Sequence, residues 1–357
     1  MNQIKFWIYI GVICLNQSVL AQNQIQFIDS TFIINPSKAC ISCISFRGAS
    51  VPNNQTAWLS GSKGSVMRSI DGGKTFELIK IPDFDLIDFR SIYAFDARQA
   101  IVVSSGYPAY ILKTMDGGLN WKKVYENKHK EIFLDAIDFW NPNQGIVLGD
   151  PIDERFVLIR TLDAGNTWHE LDSALRPLAN AGESVFAASG TSFRCLPKNS
   201  IGFVTGGKKS AFHWLQIGEK YQRYELKSML QGKASEGAFS FDFNKKYIAI
   251  VGGDYASDTT KVNQAIYRYT HNKDGLQLLN MKPFYTYYSS CLALLNNGEI
   301  IGCGTQGVYL NHTEQTNTTL NAKTYLTTKA FHVVRKARKG NLVVLGGPRG
   351  AIGVLSQ

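Results

Sequence analysis

The chain has 357 residues, a formal net charge of +10, 44% hydrophobic residues and 18% charged residues. This length suits one large all-β domain or two smaller domains, and the composition is that of an ordinary globular protein. The 32 glycines fit a chain with many tight turns, and no low-complexity tract or linker divides it.

The first 21 residues read as a secretory signal peptide. Residues 1–5 carry one positive charge, residues 6–15 are apolar, and Val19-Leu20-Ala21 offers a small-x-Ala cleavage site before Gln22. The apolar run is too short to span a membrane, and no later stretch is long and apolar enough for a transmembrane helix. We therefore expect a signal peptide at 1–21 and one domain at 22–357, in the periplasm or secreted.

One octet occurs three times, at 69–76, 114–121 and 161–168, with the pattern Ser/Thr-x-Asp-Gly/Ala-Gly-x-Thr/Asn-aromatic. Its aspartates, Asp71, Asp116 and Asp163, are 45 and 47 residues apart. Asp followed by Gly favours a tight turn, because the carboxylate accepts nearby backbone N–H groups and glycine adopts positive φ. The octets are therefore predicted to be hairpin turns, and the three aspartates to be structural rather than catalytic or metal-binding.

A repeat of about 40–50 residues is typical of a four-stranded propeller blade. Seven short apolar segments that end in glycine recur along the chain, as expected for second strands buried between stacked blades. These segments are 57–61, 101–106, 145–149, 202–206, 249–253, 300–304 and 342–346. The prediction is an all-β, seven-bladed β-propeller in which an N-terminal strand at 25–28 pairs with the last blade and closes the ring.

Five cysteines follow the signal peptide, and an odd number leaves at least one thiol free. Cys40 and Cys43 form a CxxC, which fits a redox motif only at a helix start; here it lies in irregular chain that runs into a strand. Cys291 and Cys303 flank a hairpin with an Asn-Gly turn, which places them opposite each other and predicts a disulfide in an exported protein.

The octets resemble the Asp-box (BNR) repeat families: sialidases, sortilin-type domains and photosystem II assembly-factor-like proteins. The near-repeats Phe46-Arg47-Gly48, Phe89-Arg90-Ser91 and Phe193-Arg194-Cys195 look closest to the last group. This resemblance covers nearly all of the chain after the signal peptide. It implies a propeller of the kind found in secreted bacterial members, which are often called oxidoreductases or glycosyl hydrolases.

Catalytic signatures are absent from the sequence. The Phe/Tyr-Arg-Ile-Pro motif that marks the first sialidase arginine does not occur, and no Gly-x-Gly-x-x-Gly follows a strand and opens a helix, as a dinucleotide-binding fingerprint requires. The six histidines are scattered, so we expect no metal and no cofactor. Glycoside hydrolysis by two carboxylates stays open, because the separation of carboxylates cannot be read from a sequence.

The candidate binding site is the central face. If the Phe-Arg pairs start the innermost strands, Arg47, Arg90 and Arg194 approach the axis, and Asp135 takes the arginine position in the third unit. Loops after the glycine-ended strands add further candidates: Asp150, Asp254, Tyr255 and Arg349. Converging arginines would bind a carboxylate, a phosphate or an acidic peptide by paired hydrogen bonds. The alternative is that they form salt bridges between blades, for example with Asp135 or Asp242.

The expected function is a non-catalytic binding or assembly-factor-like propeller that recognises an anionic ligand or protein segment on this face. The partner would be a protein client or an anionic glycan, with the protein itself a monomer. The basic charge, including a run at 335–339, also suits nucleic acid, but the export signal argues against that partner. A glycoside hydrolase acting on the same face is the alternative, and a scaffold that binds through side loops such as 257–263 is a third possibility.

Overall fold

The structure is a computed structural model that describes residues 26–27, 33–34, 40–272, 275–280, 283–312 and 324–355. The predicted signal peptide lies outside these residues. Within the described ranges the helical segments are three-residue 3-10 turns, at Ile41–Cys43, Ser173–Leu175 and Pro348–Gly350. None of them has the length and apolar character needed to cross a membrane.

Strands make up the rest of the regular structure, as the all-β prediction requires. In chain order, β1 to β31 are Gln26–Phe27, Ile33–Ile34, Phe46–Ser50, Ala57–Gly61, Ser65–Ser69, Phe76–Lys80, Phe89–Ala94, Ala100–Ser104, Ala109–Thr114, Lys122–Asn127, Leu134–Phe139, Gly145–Ile152, Arg155–Thr161, His169–Glu170, Glu183–Ser184, Phe193–Leu196, Ser200–Gly207, Ala211–Gln216, Lys220–Glu225, Glu236–Phe243, Tyr247–Asp254, Val262–Asn272, Gly275–Asn280, Phe284–Thr286, Cys291–Leu294, Glu299–Gly304, Gly307–His312, Thr324–Thr327, Val333–Lys336, Val343–Gly346 and Ile352–Leu355.

These strands pair mainly as antiparallel meanders of chain neighbours. Separate sheets are formed by β3 to β6 with β2 added, by β7 to β10, by β11 to β14 and by β25 to β28. A ten-stranded sheet contains two further meanders, β16 to β19 and β20 to β23, which are joined where Gly206 pairs with Gly237. The predicted count of seven blades stays a prediction, and the two meanders within this sheet are compatible with it.

The last sheet confirms the predicted closing strand. β29, β30 and β31 form an antiparallel meander, and β1 adds to its outer edge. Gln26 pairs with Val354 and Phe27 pairs with Gly353. A segment from near the start of the chain therefore covers an edge that would otherwise expose unpaired backbone groups.

Neighbouring inner strands are tied to each other by hydrogen bonds that cross from one unit to the next. In most units a side chain on one inner strand accepts a backbone N–H of the following inner strand. The pairs are Ser50 with Ala94 (3.0 Å), Ser91 with Ile137 (3.1 Å), Asp138 with Cys195 (2.9 Å), Ser240 with Leu292 (3.2 Å) and the Cys291 thiol with Val334 (3.3 Å). Backbone bonds complete the ring, from Phe241 to Thr191 (3.1 Å) and from Arg338 to Val51 (2.9 Å).

The hydrophobic core lies between neighbouring sheets. Trp58, Phe89 and Val102 belong to one buried cluster between the first two units. A larger cluster joins the first unit to the last, and it includes Phe46 and Phe331. Each sheet thus buries both faces, which explains why the second strands are continuously apolar.

The three octets are hairpin turns, as predicted, between β5 and β6, β9 and β10, and β13 and β14. In the first turn the Asp71 carboxylate accepts hydrogen bonds from the Ser69 hydroxyl (2.8 Å), the Thr75 amide (3.0 Å) and the Thr75 hydroxyl (2.7 Å). Hydrogen bonds from Asn120 hold the pKa of Asp116 at about 2. Burial raises the pKa of Asp163, but its hydrogen bonds outweigh this effect and bring the pKa to about 2.

The disulfide predicted between Cys291 and Cys303 is wrong, although the two residues do lie opposite each other on β25 and β26. Both are buried free thiols. The Cys291 sulfur lies at 3.2 to 3.3 Å from the backbone of Val334 on the next inner strand, and it is one of the side-chain acceptors that join neighbouring units. The disulfide instead joins Cys40 to Cys43, in the 3-10 turn that runs into β3.

Replacing Asp71 with alanine should lower the free energy of unfolding by about 1–2 kcal/mol, because it removes the acceptor of the Ser69 and Thr75 hydrogen bonds. Chemical denaturation followed by tryptophan fluorescence would measure the loss. Lys74→Ala is the matched control, since this exposed side chain in the same turn makes no hydrogen bond or ion pair among the described residues. Equal stability of the two variants would contradict a structural role for the carboxylate.

Candidate functional site

The centre of the ring is crossed by residues 186–192, here called the axial segment, which connects β15 to β16. Its polar groups contact the inner part of five other units. The contacts are Arg47 to the Ala188 carbonyl (3.4 Å), the Ser189 hydroxyl to the Ser290 carbonyl (2.8 Å), Thr191 to the Ser240 hydroxyl (2.6 Å), Arg335 to the Gly190 carbonyl (3.3 Å), and Gly190 against Ser91. The segment therefore separates an upper mouth, where the inner strands begin, from a lower cavity, where they end.

The upper mouth brings together several of the predicted residues. β3, β7 and β11 each have a register shift at the same place, and the extra residues are Arg47, Arg90 and Asp135. A fourth shift, in β20, falls at Phe239. A bulge redirects a side chain away from the sheet, so the four equivalent bulges explain why these side chains gather at the axis.

The two arginines of the upper mouth influence each other. Burial lowers the pKa of Arg47, and the positive charge of Arg90 lowers it further. Arg90 forms an ion pair with Asp88 at 2.8 Å. Burial, together with both arginines, lowers the pKa of His332 to about 3, so this imidazole is neutral at physiological pH.

Asp135 lies near Arg90, and Asp150 lies near Asp135. Asp135 is 0% exposed, and neither of its carboxyl oxygens has a hydrogen-bond partner among the described residues. Burial and the neighbouring Asp150 raise its pKa well above the usual value. Burial also raises the pKa of Asp150 to about 6, although its carboxylate accepts a 2.8 Å hydrogen bond from the Val185 amide. Because no surface of Asp135 is exposed, the pair formed by Asp135 and Asp150 is not open to substrate in this structure.

The remaining loop candidates are less central. Tyr255 is 53% exposed and lies edge-on to Phe186 and Phe239, which form part of the upper mouth. Asp254 is buried, and its carboxylate accepts a hydrogen bond from the Ala256 amide at 2.8 Å. Arg349 lines a different cavity, near β1 and β31.

Arg194 lies on the opposite side of the axial segment, so the predicted convergence of three arginines is wrong. Arg194 instead forms a salt bridge between units, to Asp242 on the next inner strand at 3.4 Å, which is the alternative given in the sequence analysis. The Phe-Arg pair does not mark the same position in this unit. Arg194 is paired in register with Gly202 near the start of the second strand, whereas Arg47 and Arg90 adjoin the far ends of theirs.

The lower cavity has a volume of about 1160 Å³ and is lined by the ends of the inner strands. Its walls carry six basic side chains against two carboxylates. The basic residues are Arg194, Lys245, Lys246, Arg335, Lys336 and Arg338, and the acidic residues are Asp138 and Asp242. The excess of positive charge makes this cavity suited to an anionic ligand.

Both carboxylates of the lower cavity are engaged by the protein itself. Asp138 accepts the backbone amides of Phe139 and Cys195, each at 2.9 Å. Asp242 accepts the Leu294 amide at 2.9 Å in addition to Arg194. The cations from β29 and its C-terminal end have neutral partners instead.

Arg335 donates to the Gly190 carbonyl, Lys336 donates to the Asn296 side chain at 2.6 Å, and Arg338 donates to Ser50. The Arg338 guanidinium also lies 4.3 Å from the centre of the Tyr93 ring. Sequence reasoning missed these residues as a site. The basic run at 335–339 was the available signal, but a run of charge in the sequence does not place these side chains in a cavity.

The chain is a repeat protein with three Asp-box-like hairpin turns and polar residues in both the upper mouth and the lower cavity. A family model described as photosynthesis system II assembly factor YCF48 matches residues 35–130, which confirms the predicted resemblance over that stretch. A search of curated protein sequences found no match.

Solved propeller structures match almost the whole chain at low identity, which confirms the propeller fold. A structure of YCF48 bound to D1 peptide aligns with a TM-score of 0.60 and 15% identity, covering 94% of this chain and 97% of that one. YCF48 from Cyanidioschyzon merolae aligns with a TM-score of 0.60 and 12% identity, covering 93% and 99%. The Neurospora crassa Pan2 WD40 domain aligns with a TM-score of 0.61 and 11% identity, covering 94% and 95%.

Asp135→Asn should stabilise the protein at about pH 8 and give little gain at about pH 4. The folded-state pKa of Asp135 lies above its unfolded value, so its contribution to stability is present at low pH and is lost as pH rises through the folded pKa. The neutral amide removes that loss. Thermal unfolding of wild type and variant across this pH range would measure the difference.

Asp138→Asn is the control for this prediction. Asp138 is also in the interior and has a raised pKa, but each of its oxygens accepts a backbone amide. An amide side chain would lose one acceptor and should destabilise the fold by roughly 1–3 kcal/mol. A gain from Asp135→Asn that is the same at both pH values would show that the carboxyl does not titrate as described.

Proposed function

We propose that this protein is an exported, non-catalytic binding propeller whose lower cavity receives an anionic segment of a protein partner. The observation that carries the proposal is the six-to-two excess of basic over acidic side chains in a cavity of about 1160 Å³. A cavity of this charge attracts acidic ligands over several ångströms and strengthens their hydrogen bonds once they are bound.

The preference for a bound anion comes from how the charges are satisfied. Both carboxylates are occupied by backbone amides, so they add little attraction for a cationic partner. Arg335 and Arg338 make hydrogen bonds to neutral groups and have no carboxylate within ion-pair distance among the described residues. An incoming Asp, Glu or C-terminal carboxylate would supply the missing counter-charge.

A protein segment is favoured over a small anion by the size and lining of the cavity. The lining also contains Tyr93, Phe139 and Phe243, which offer apolar surface to an extended chain. The likeness to a YCF48 structure that contains D1 peptide supports a peptide ligand for this fold. The N-terminal apolar pattern and the Cys40–Cys43 disulfide support export, because disulfides persist in oxidising compartments.

The test uses a fluorescein-labelled peptide rich in Glu and Ser, and a second peptide in which Lys replaces Glu. Fluorescence anisotropy should show binding of the acidic peptide only, weakening as salt is added. Lys336→Glu with Arg338→Glu should weaken binding by about tenfold or more, since each 1.4 kcal/mol of lost interaction is a factor of ten. Lys245→Glu with Lys246→Glu, on exposed positions of the same rim, should act in the same direction.

Lys122→Glu with Lys220→Glu makes the same change of charge on exposed outer-strand positions, β10 and β19, and should leave binding unchanged. Equal loss in this control and in the cavity variants would show that only net charge matters. Equal binding of the acidic and basic peptides would overturn the assignment of an anionic segment.

A further inference from the structure

The upper mouth holds two arginine side chains, Arg47 and Arg90, and among the described residues only Arg90 has a carboxylate within ion-pair distance. They project from equivalent bulges on adjacent inner strands, and Gly48, next to Arg47, lies against the Arg90 backbone. Asp88 pairs with Arg90 through one oxygen, while its other oxygen is buried without a partner among the described residues. The described hydrogen bond of the Arg47 guanidinium is the long one to Ala188.

The acids nearby do not close this gap. Asp135 is fully buried, and its raised pKa favours the neutral form. Asp150, with a pKa of about 6, is mostly ionised at neutral pH, but its carboxylate already accepts the Val185 amide. His332 is neutral. The mouth therefore keeps the forked donors of Arg47 and Arg90 for an external anion, and a guanidinium fork matches a carboxylate in shape and spacing.

The other half of the upper mouth is aromatic. Phe186 and Phe239 are stacked with ring centres 4.0 Å apart, and Tyr288 meets Phe239 edge-on at 5.1 Å. Tyr255 stands at the rim with 53% of its surface exposed. Tyr288 also interacts with the Arg47 charge, so the aromatic wall and the arginine pair are adjacent.

We propose that the upper mouth is a second binding site, separate from the lower cavity, which takes a small carboxylate carried on a ring, as in an acidic sugar. The carboxylate lies between Arg47 and Arg90, and one face of the ring packs on the exposed Tyr255. A tyrosine provides a flat apolar surface together with a hydroxyl that hydrogen-bonds at its edge, which suits a polyhydroxylated ring.

The experiment is isothermal titration calorimetry of the full domain with glucuronate, glucose and acetate. Glucuronate should bind saturably, glucose should not bind, and acetate should bind at least about tenfold more weakly than glucuronate, because it lacks the ring contacts. Acetate that binds as tightly as glucuronate would overturn the role of the aromatic wall. Absence of glucuronate binding would overturn the site.

Variants separate the two halves of the mouth. Arg47→Gln should weaken glucuronate binding by about tenfold or more, because charge-assisted hydrogen bonds are lost. Tyr255→Ala, at an exposed rim position, should weaken glucuronate but leave acetate unchanged. Arg338→Ala, in the lower cavity, should leave glucuronate binding intact, so failure at one site is distinguishable from failure at the other. Displacement of glucuronate by the acidic peptide would overturn the separation of the sites.

Discussion

The hydrogen bonds between successive inner strands are the constraint on which the rest of the molecule depends. Side-chain oxygens of Ser50, Ser91 and Asp138 each accept a backbone amide from the following unit. These amides point along the ring rather than into their own sheets, so without such acceptors they would be buried and unsatisfied, at a cost of about 1–3 kcal/mol each. Polar residues are therefore required at fixed places on otherwise apolar strands, and the thiol of Cys291 fills one of these places.

The axial segment follows from the same constraint. In the fourth unit the chain leaves the inner-strand path between β15 and β16, and its hydroxyl and carbonyl groups satisfy the centre of the ring. Ser189 and Thr191 form a buried chain of hydroxyls that reaches the fifth and sixth units. Because the segment lies across the axis, the residues of the upper mouth and those of the lower cavity form two distinct polar surfaces.

Local signals predicted the fold well. The Asp-box turns could be predicted because their hydrogen bonds lie within seven residues. The second strands could be predicted from continuous apolar runs, and the closing strand from an apolar segment near the start of the chain. The site was harder, because it depends on register. Phe193-Arg194 resembles Phe46-Arg47 in sequence, but the axial segment displaces it toward the opposite end of its unit. The strand register that places Cys291 opposite Cys303 was predicted correctly, although no disulfide forms. The hydrogen bond from the Val334 amide to the Cys291 sulfur involves another strand, and no local pattern in the sequence indicates it.

The division of charge between the two ends has a structural origin. Asp138 and Asp242 lie on the lower half of their strands, where each accepts a backbone amide of the following inner strand. Because these carboxylates are engaged in hydrogen bonds between units, the basic residues of β29 have no carboxylate partner among the described residues. In the upper half the residues at the bulges are not needed for ties, since Ser91 and Ser240 beside them perform that task. Arg47, Arg90 and Asp135 are thus free of the constraint that fixes their neighbours. The charges of the two arginines are retained at an energetic cost in a partly buried place, which is the pattern expected where binding rather than folding determines the residue.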